Sequence, residues 1–169
     1  AWQIARKQVY RYVVEASVSF VLREMTGAGS GFFSAQDADS EGGEGAYYAL
    51  VPQEAITALG REDGERFDSF FGITSAGNFG GKSIPNRLAG DEEAPEAHMT
   101  ALLARMYEYR RSRRALRTDD KAMTGWNALM IGALAQASAA FGRPDWLKAA
   151  LDAREYAKRH LTSAQGDAL

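Results

Sequence analysis

The chain has 169 residues, 46% hydrophobic and 25% charged, with a net charge of -2. That is enough to bury a core, and it gives no field that would draw in nucleic acid or anionic lipid. There is no cysteine, so disulfides, thiolate catalysis and Cys-ligated zinc are excluded from this segment. The absence of disulfides fits a reducing, cytoplasmic setting. No apolar run approaches the roughly 20 residues of a membrane span.

The chain opens in a helical pattern at Ala1-Trp2-Gln3, which reads as an internal piece of a longer polypeptide. Tyr10, Val14, Val18, Val21, Leu22 and Met25 recur at helical spacing and predict one helix from about Trp2 to Met25, stopped by Thr26-Gly27. Trp2, Val9, Val13 and Phe20 add a second apolar face, as in a well-buried helix.

Next comes the most unusual stretch, G-F-F-S-A-Q-D-A-D-S-E-G-G-E-G-A-Y-Y over 31–48. It carries Asp37, Asp39, Glu41 and Glu44 between paired aromatics. Phe32-Phe33 and the run from Tyr47 to Val51 favour extended structure, so two short strands are expected to bracket an acidic turn. Asp37-x-Asp39-x-Glu41-Gly42 approximates the start of a calcium loop. It fails at the fifth position, a Glu, and at the twelfth, Tyr48, where a bidentate Glu is needed. A solvated turn explains Asp and Gly through backbone geometry alone. Aromatics beside carboxylates also suit a sugar site, where rings stack on pyranose faces and carboxylates accept hydroxyl bonds or move protons.

Pro52 starts a short helix to about Leu59, and Glu62 to Phe71 forms another. Gly72 to Leu88 is irregular. Its Gly77-Asn78-Phe79-Gly80-Gly81-Lys82-Ser83 is no phosphate loop: Ala76 stands where the first glycine should be, and Pro85 blocks the helix. Gly27-Ala28-Gly29-Ser30-Gly31 is no dinucleotide fingerprint, because Phe32 replaces the third glycine. It also lacks the flanks of a nucleophile elbow.

Pro95 opens an amphipathic helix with Met99, Leu102, Leu103, Met106 and Tyr107, ending in Arg110, Arg111, Arg113, Arg114 and Arg117. On a near-neutral chain that basic cluster reads as a solvated helix end complementing the dipole. Asp119 or Asp120 then caps a helix to about Ala140, with Met123, Trp126, Met130, Ala133, Leu134 and Ala137 as its stripe. It is nearly apolar all round, hence central. Gly142 closes it, and Pro144 opens the last helix, to about Leu161. His98 and His160 have no metal-ligand spacing, and no metal or cofactor is expected.

The segment Asp119-Asp120-Lys121 before Trp126-Asn127 is explained by capping and a core Trp, except in three respects. Lys121 opposes the dipole, Asn127 is a weak helix former, and a buried Asn127 needs a polar partner. Acid, Lys, Trp and Asn at the start of an inner helix suit the mouth of a cavity.

The fold class expected is mainly α, with antiparallel helical hairpins in two layers: an α/α toroid or solenoid, or a simple bundle. A β-hairpin-like insertion lies near residues 31–50, and the whole forms a single segment over residues 1–169.

Phe32-Phe33-Ser34-Ala35-Gln36-Asp37-Ala38-Asp39-Ser40 and Asp119-Asp120-Lys121-x-x-Thr124-x-Trp126-Asn127-x-Leu129-Met130-Ile131 resemble the spermatogenesis-associated protein 20 family and its bacterial relatives (domain of unknown function 255). Glu44-Gly45-x-Tyr47-Tyr48 and Gly77-Asn78-Phe79-x-Gly81-Lys82 fit the same pattern in order. The chain departs from it at Ala128, where the family has Gly, and at Arg117-Thr118, where it has Pro. The resemblance implies a thioredoxin-like domain followed by a toroid similar to N-acylglucosamine 2-epimerases and six-hairpin glycosidases. This chain would then be an internal part of a partial (α/α)6 toroid, without the thioredoxin-like part.

Two functions follow as expectations. In the first, the toroid binds or acts on carbohydrate, as an isomerase or hydrolase. Asp37, Asp39, Glu41, Asp120 and Lys121 are its candidate catalytic groups. Phe33, Gln36, Glu44, Tyr47, Tyr48, Trp126 and Asn127 are its candidate substrate contacts, and the ligand is a sugar or sugar phosphate. In the second, a non-enzymatic helical scaffold docks the thioredoxin-like domain or a partner protein, and Lys121 pairs with a loop carboxylate. Helix faces left bare in a partial toroid imply a homodimer. Neither nucleic acid nor membrane is an expected partner.

Overall fold

The computed structural model describes residues 1–40, 43–88, 90, 93–113 and 115–163. It is mainly helical and divides into two compact units, residues 1–36 with 118–169 and residues 37–117.

The first unit holds α1 (Trp2–Ala5), α2 (Gln8–Glu24) and β1 (Ala35–Gln36). The single helix expected from Trp2 is broken at Arg6, which takes a left-handed φ of 53°. Trp2 of α1 stacks on Phe141, ring centroids 5.6 Å apart, and Phe141 packs edge-on against Trp146. The α-hairpin follows β4 (Thr118–Asp119) and comprises α6 (Thr124–Phe141) and α7 (Pro144–His160). Gly142, left-handed as expected, turns one into the other.

On α7 the positions Trp146, Ala150 and Ala153 are buried, a helical stripe that meets Leu134 of α6, Val18 of α2 and Phe32. Each large side chain so buried contributes about 1.5–3 kcal/mol. The loop over residues 27–34 lies so close to α7 that a Cβ on Gly31 would stand 2.3 Å from the Tyr156 ring. A side chain there would have to displace the Tyr156 ring.

The second unit holds β2 (Asp39–Ser40), β3 (Gly43–Glu44), α3 (Pro52–Leu59), α4 (Arg61–Phe70) and α5 (Ala97–Arg113). Pro52 sits in the first turn of α3, where its missing N–H is no loss. Helices α3 and α4 pack closely because residue 64 is glycine: a Cβ there would be 2.6 Å from the Ile56 Cα. Ala55, Leu59, Phe67, Met99, Leu102 and Met106 form the core, with Leu50 and Ile73 from the connecting segments.

Strand placement differs from the expectation. The β pairs are β1 with β4 and β2 with β3, both antiparallel. The acidic hairpin exists, but Tyr47 and Tyr48 lie in a turn after it rather than in a bracketing strand. Phe32 makes one isolated bridge to Thr26. Nor do Asp119 and Asp120 cap α6: it begins at Thr124 with no side-chain cap, because Asp119 is drawn into the ladder with β1.

Candidate functional site

The two segments singled out in the sequence meet through backbone. In β1–β4, Ala35 opposes Asp119 and Gln36 opposes Thr118. The Ser34 amide and hydroxyl both donate to the Asp119 carbonyl, at 3.2 and 3.3 Å.

Asn127 completes the junction. It is fully buried, and its Oδ1 accepts the Phe32 N–H at 2.8 Å. Its Nδ2 donates to the Phe32 and Met123 carbonyls, both at 3.0 Å. The polar partner that a buried Asn127 required is therefore the main chain of Phe32. The amide acts as one rung of a sheet ladder, tying the loop over residues 27–34 to α6.

Around the start of α6, Asp119 holds Lys121 twice: Oδ2 to Nζ at 3.0 Å, and Oδ1 accepting the Lys121 amide at 3.3 Å. The side-chain bond from Lys121, with its amide, holds the Asp119 carboxyl below its usual range. Lys121 thus pairs with Asp119, two residues before it. Asp120 is exposed, while Phe33 and Gln36 are half-buried. Trp126, expected in the core, is 54% exposed. The buried positions of α6 are Leu134, as its stripe predicts, together with Asn127 and Ser138.

In the second unit Asp37 closes an Asx turn, its Oδ1 accepting the Asp39 amide at 3.0 Å. Asp39 and Glu44 are exposed and directly opposed across β2–β3. Like charges in that position weaken a ladder. Glu41 lies outside the described residues.

Tyr47 is buried and meets Tyr48 edge-on at 4.9 Å, and the Arg110 guanidinium lies 4.8 Å from each ring centre. This cation–π clamp occupies the pair that was expected to stack on a ligand.

Sequence reasoning read the arginine cluster as a solvated helix end, but Arg113 is largely buried. It donates to the carbonyls of Ala46, Tyr47 and Ala49 and pairs with Glu54 at 2.7 Å. Glu54 also accepts the Val51 amide at 2.9 Å. Burial disfavours the Glu54 anion, but Val51, Arg113 and Lys82 outweigh it and keep the carboxyl below its usual range. Burial, with the Glu54 charge, pushes the Tyr109 phenol up. The Pro52-x-Glu54 spacing was a local signal for half a capping box, whereas no local pattern announces a partner 59 residues away.

No family model matches the chain. It is similar to spermatogenesis-associated protein 20 of Mus musculus and of Homo sapiens, 26% identical to each over 95% of this chain and 25% of the relative. The Rattus norvegicus protein is 24% identical over the same shares. The likeness is a distant homology, and the chain spans about a quarter of the length of the curated relatives it matches.

Proposed function

We propose that this chain is a helical scaffold segment whose α6 docks an apolar helix of a partner, such as another hairpin of a longer toroid or a thioredoxin-like domain. One observation carries the reading. Helix α6 has no charged residue in its 18 positions, yet Met123 at its start, Trp126 and Leu129 are 47%, 54% and 75% exposed. A helix whose outer face meets water normally carries charge there. Among the described residues no helix is long and apolar enough to cross a membrane, and an exposed apolar face of this kind is a mark of a protein-docking surface.

Sedimentation equilibrium tests it. Without its partner the face pairs with a second copy, so the chain should self-associate at high concentration and Leu129→Glu should stay monomeric. Equal association of both proteins would sink the reading.

The carbohydrate reading is favoured by a separate observation, the opposed Asp39 and Glu44. A like-charge pair that weakens its own hairpin is expected where a function needs it. In that reading the hairpin carboxylates of the second unit bind hydroxyls or move protons. At the start of α6, Phe33, Gln36, Asp120, Lys121 and Trp126 would form a sugar-binding edge. Calorimetry with sugars and sugar phosphates should show binding that Asp39→Asn or Lys121→Ala weakens. No heat with any sugar would reject it.

A further inference from the structure

The second unit contains a cleft of about 480 Å³ where α3 gives way to α4, lined by Leu59, Arg61, Asp63, Arg66 and His98 among others. That volume lies in the range of small-molecule sites, about 300–1,000 Å³. None of these residues belongs to the acidic hairpin or to α6.

Its polar groups are organised. His98 Nε2 contacts Asp63 Oδ1 at 2.7 Å. Arg105 approaches the other Asp63 oxygen at 3.8 Å and donates to the Ala58 carbonyl at 3.0 Å. Asp63 is therefore balanced by two basic partners, and its bond fixes the His98 ring with Nδ1 turned away from it. Among the described residues, Arg61 and Arg66 pair with exposed carboxylates, Glu65 at 3.4 Å and Glu96 at 3.5 Å. Such surface pairs are worth about 0–1 kcal/mol and give way to a better anion. Among the described residues no side chain caps the first turn of α4, which carries Glu62 and Asp63 and turns its positive end to the same cleft. Glu62 on the rim counters part of this charge.

We propose that this cleft binds a small phosphate monoester, with Arg61 and Arg66 forking onto the phosphoryl oxygens and His98, in the doubly protonated form that Asp63 supports through Nε2, donating a third contact from Nδ1. Planar guanidinium pairs suit that ligand, and Leu59 gives an apolar floor for its organic part. The proposal is independent of the docking face on α6.

The test is a titration of the full chain with inorganic phosphate and with glucose 6-phosphate, followed by amide and imidazole NMR at constant ionic strength. The expected result is saturable shifts in the first turn of α4 and in the His98 ring, tighter for the ester than for phosphate. Arg61→Gln with Arg66→Gln should weaken binding at least about tenfold, or 1.4 kcal/mol. Arg154→Gln, an exposed arginine of the other unit, should leave it unchanged. Both cleft arginines are exposed, so the double variant should keep its melting curve. The proposal is overturned if chloride produces the same shifts, if phosphate binds but the ester does not, or if the double variant binds as well as the parent.

Discussion

Asn127 shows how a residue with the features of a ligand contact can belong to the fold. Its amide meets main-chain groups of Phe32 and Met123 inside the protein, where unpaired groups are expensive. Asn127→Ala leaves the Phe32 N–H and carbonyl buried without that partner. It should lower unfolding free energy by about 2–4 kcal/mol in urea titrations. Asp68 is the converse case. It is buried, its Oδ1 has no hydrogen-bond partner among the described residues, and burial, with Glu65 adding to it, raises its pKa to about 6. The folded state then holds a proton that the unfolded chain has lost between about pH 4 and 6. Stability should fall as pH rises through that window. Asp68→Asn should remove that part of the pH dependence and raise stability at pH 7 by about 1–2 kcal/mol, after allowance for solvent screening. Thermal melts across pH 4–8 check both the slope and the gain.

At the scale of elements, Arg113 joins α5 to the turn that precedes α3, through three carbonyls and Glu54. Arg113→Ala should cost about 2–4 kcal/mol, and Arg113→Lys should recover little, since one ammonium cannot replace the fork. Urea midpoints for the pair would show it. The helices themselves were legible wherever a stripe and a punctuating residue coincided: Pro52, Pro144 and Gly142 mark boundaries that the structure keeps. Where tertiary partners decide, sequence was a poorer guide. The ladder of Ala35–Gln36 with Thr118–Asp119 spans more than 80 residues, and it moved the start of α6 past both aspartates. The predicted stripe of α6 holds at Met130, Leu134 and Ala137, which pack in the core, and fails for a different reason at Met123 and Trp126, which are exposed. A helix without charge offers no polar face to show which side is outward, so Trp126 looked as much like core as Leu134 does.

For the whole molecule, the acidic 31–48 segment divides between the units. Phe32 to Gln36 works in the first, bound to Asn127 and β4, and Asp37 to Tyr48 in the second. The pairing of the two motifs could be read from the sequence. That they meet by backbone bonds and one buried amide could not, because hydrogen-bond partners are set by tertiary position. Helix α6 has water on a face with the chemistry of an interior. Fluorine NMR of the chain carrying 5-fluorotryptophan tests it through the solvent isotope shift of Trp126. The account predicts a wet Trp126 in dilute protein that becomes dry as concentration rises, while Trp146 is dry throughout and Leu129→Glu keeps Trp126 wet. A Trp126 that is dry in the dilute monomer, or wet at every concentration, would contradict it.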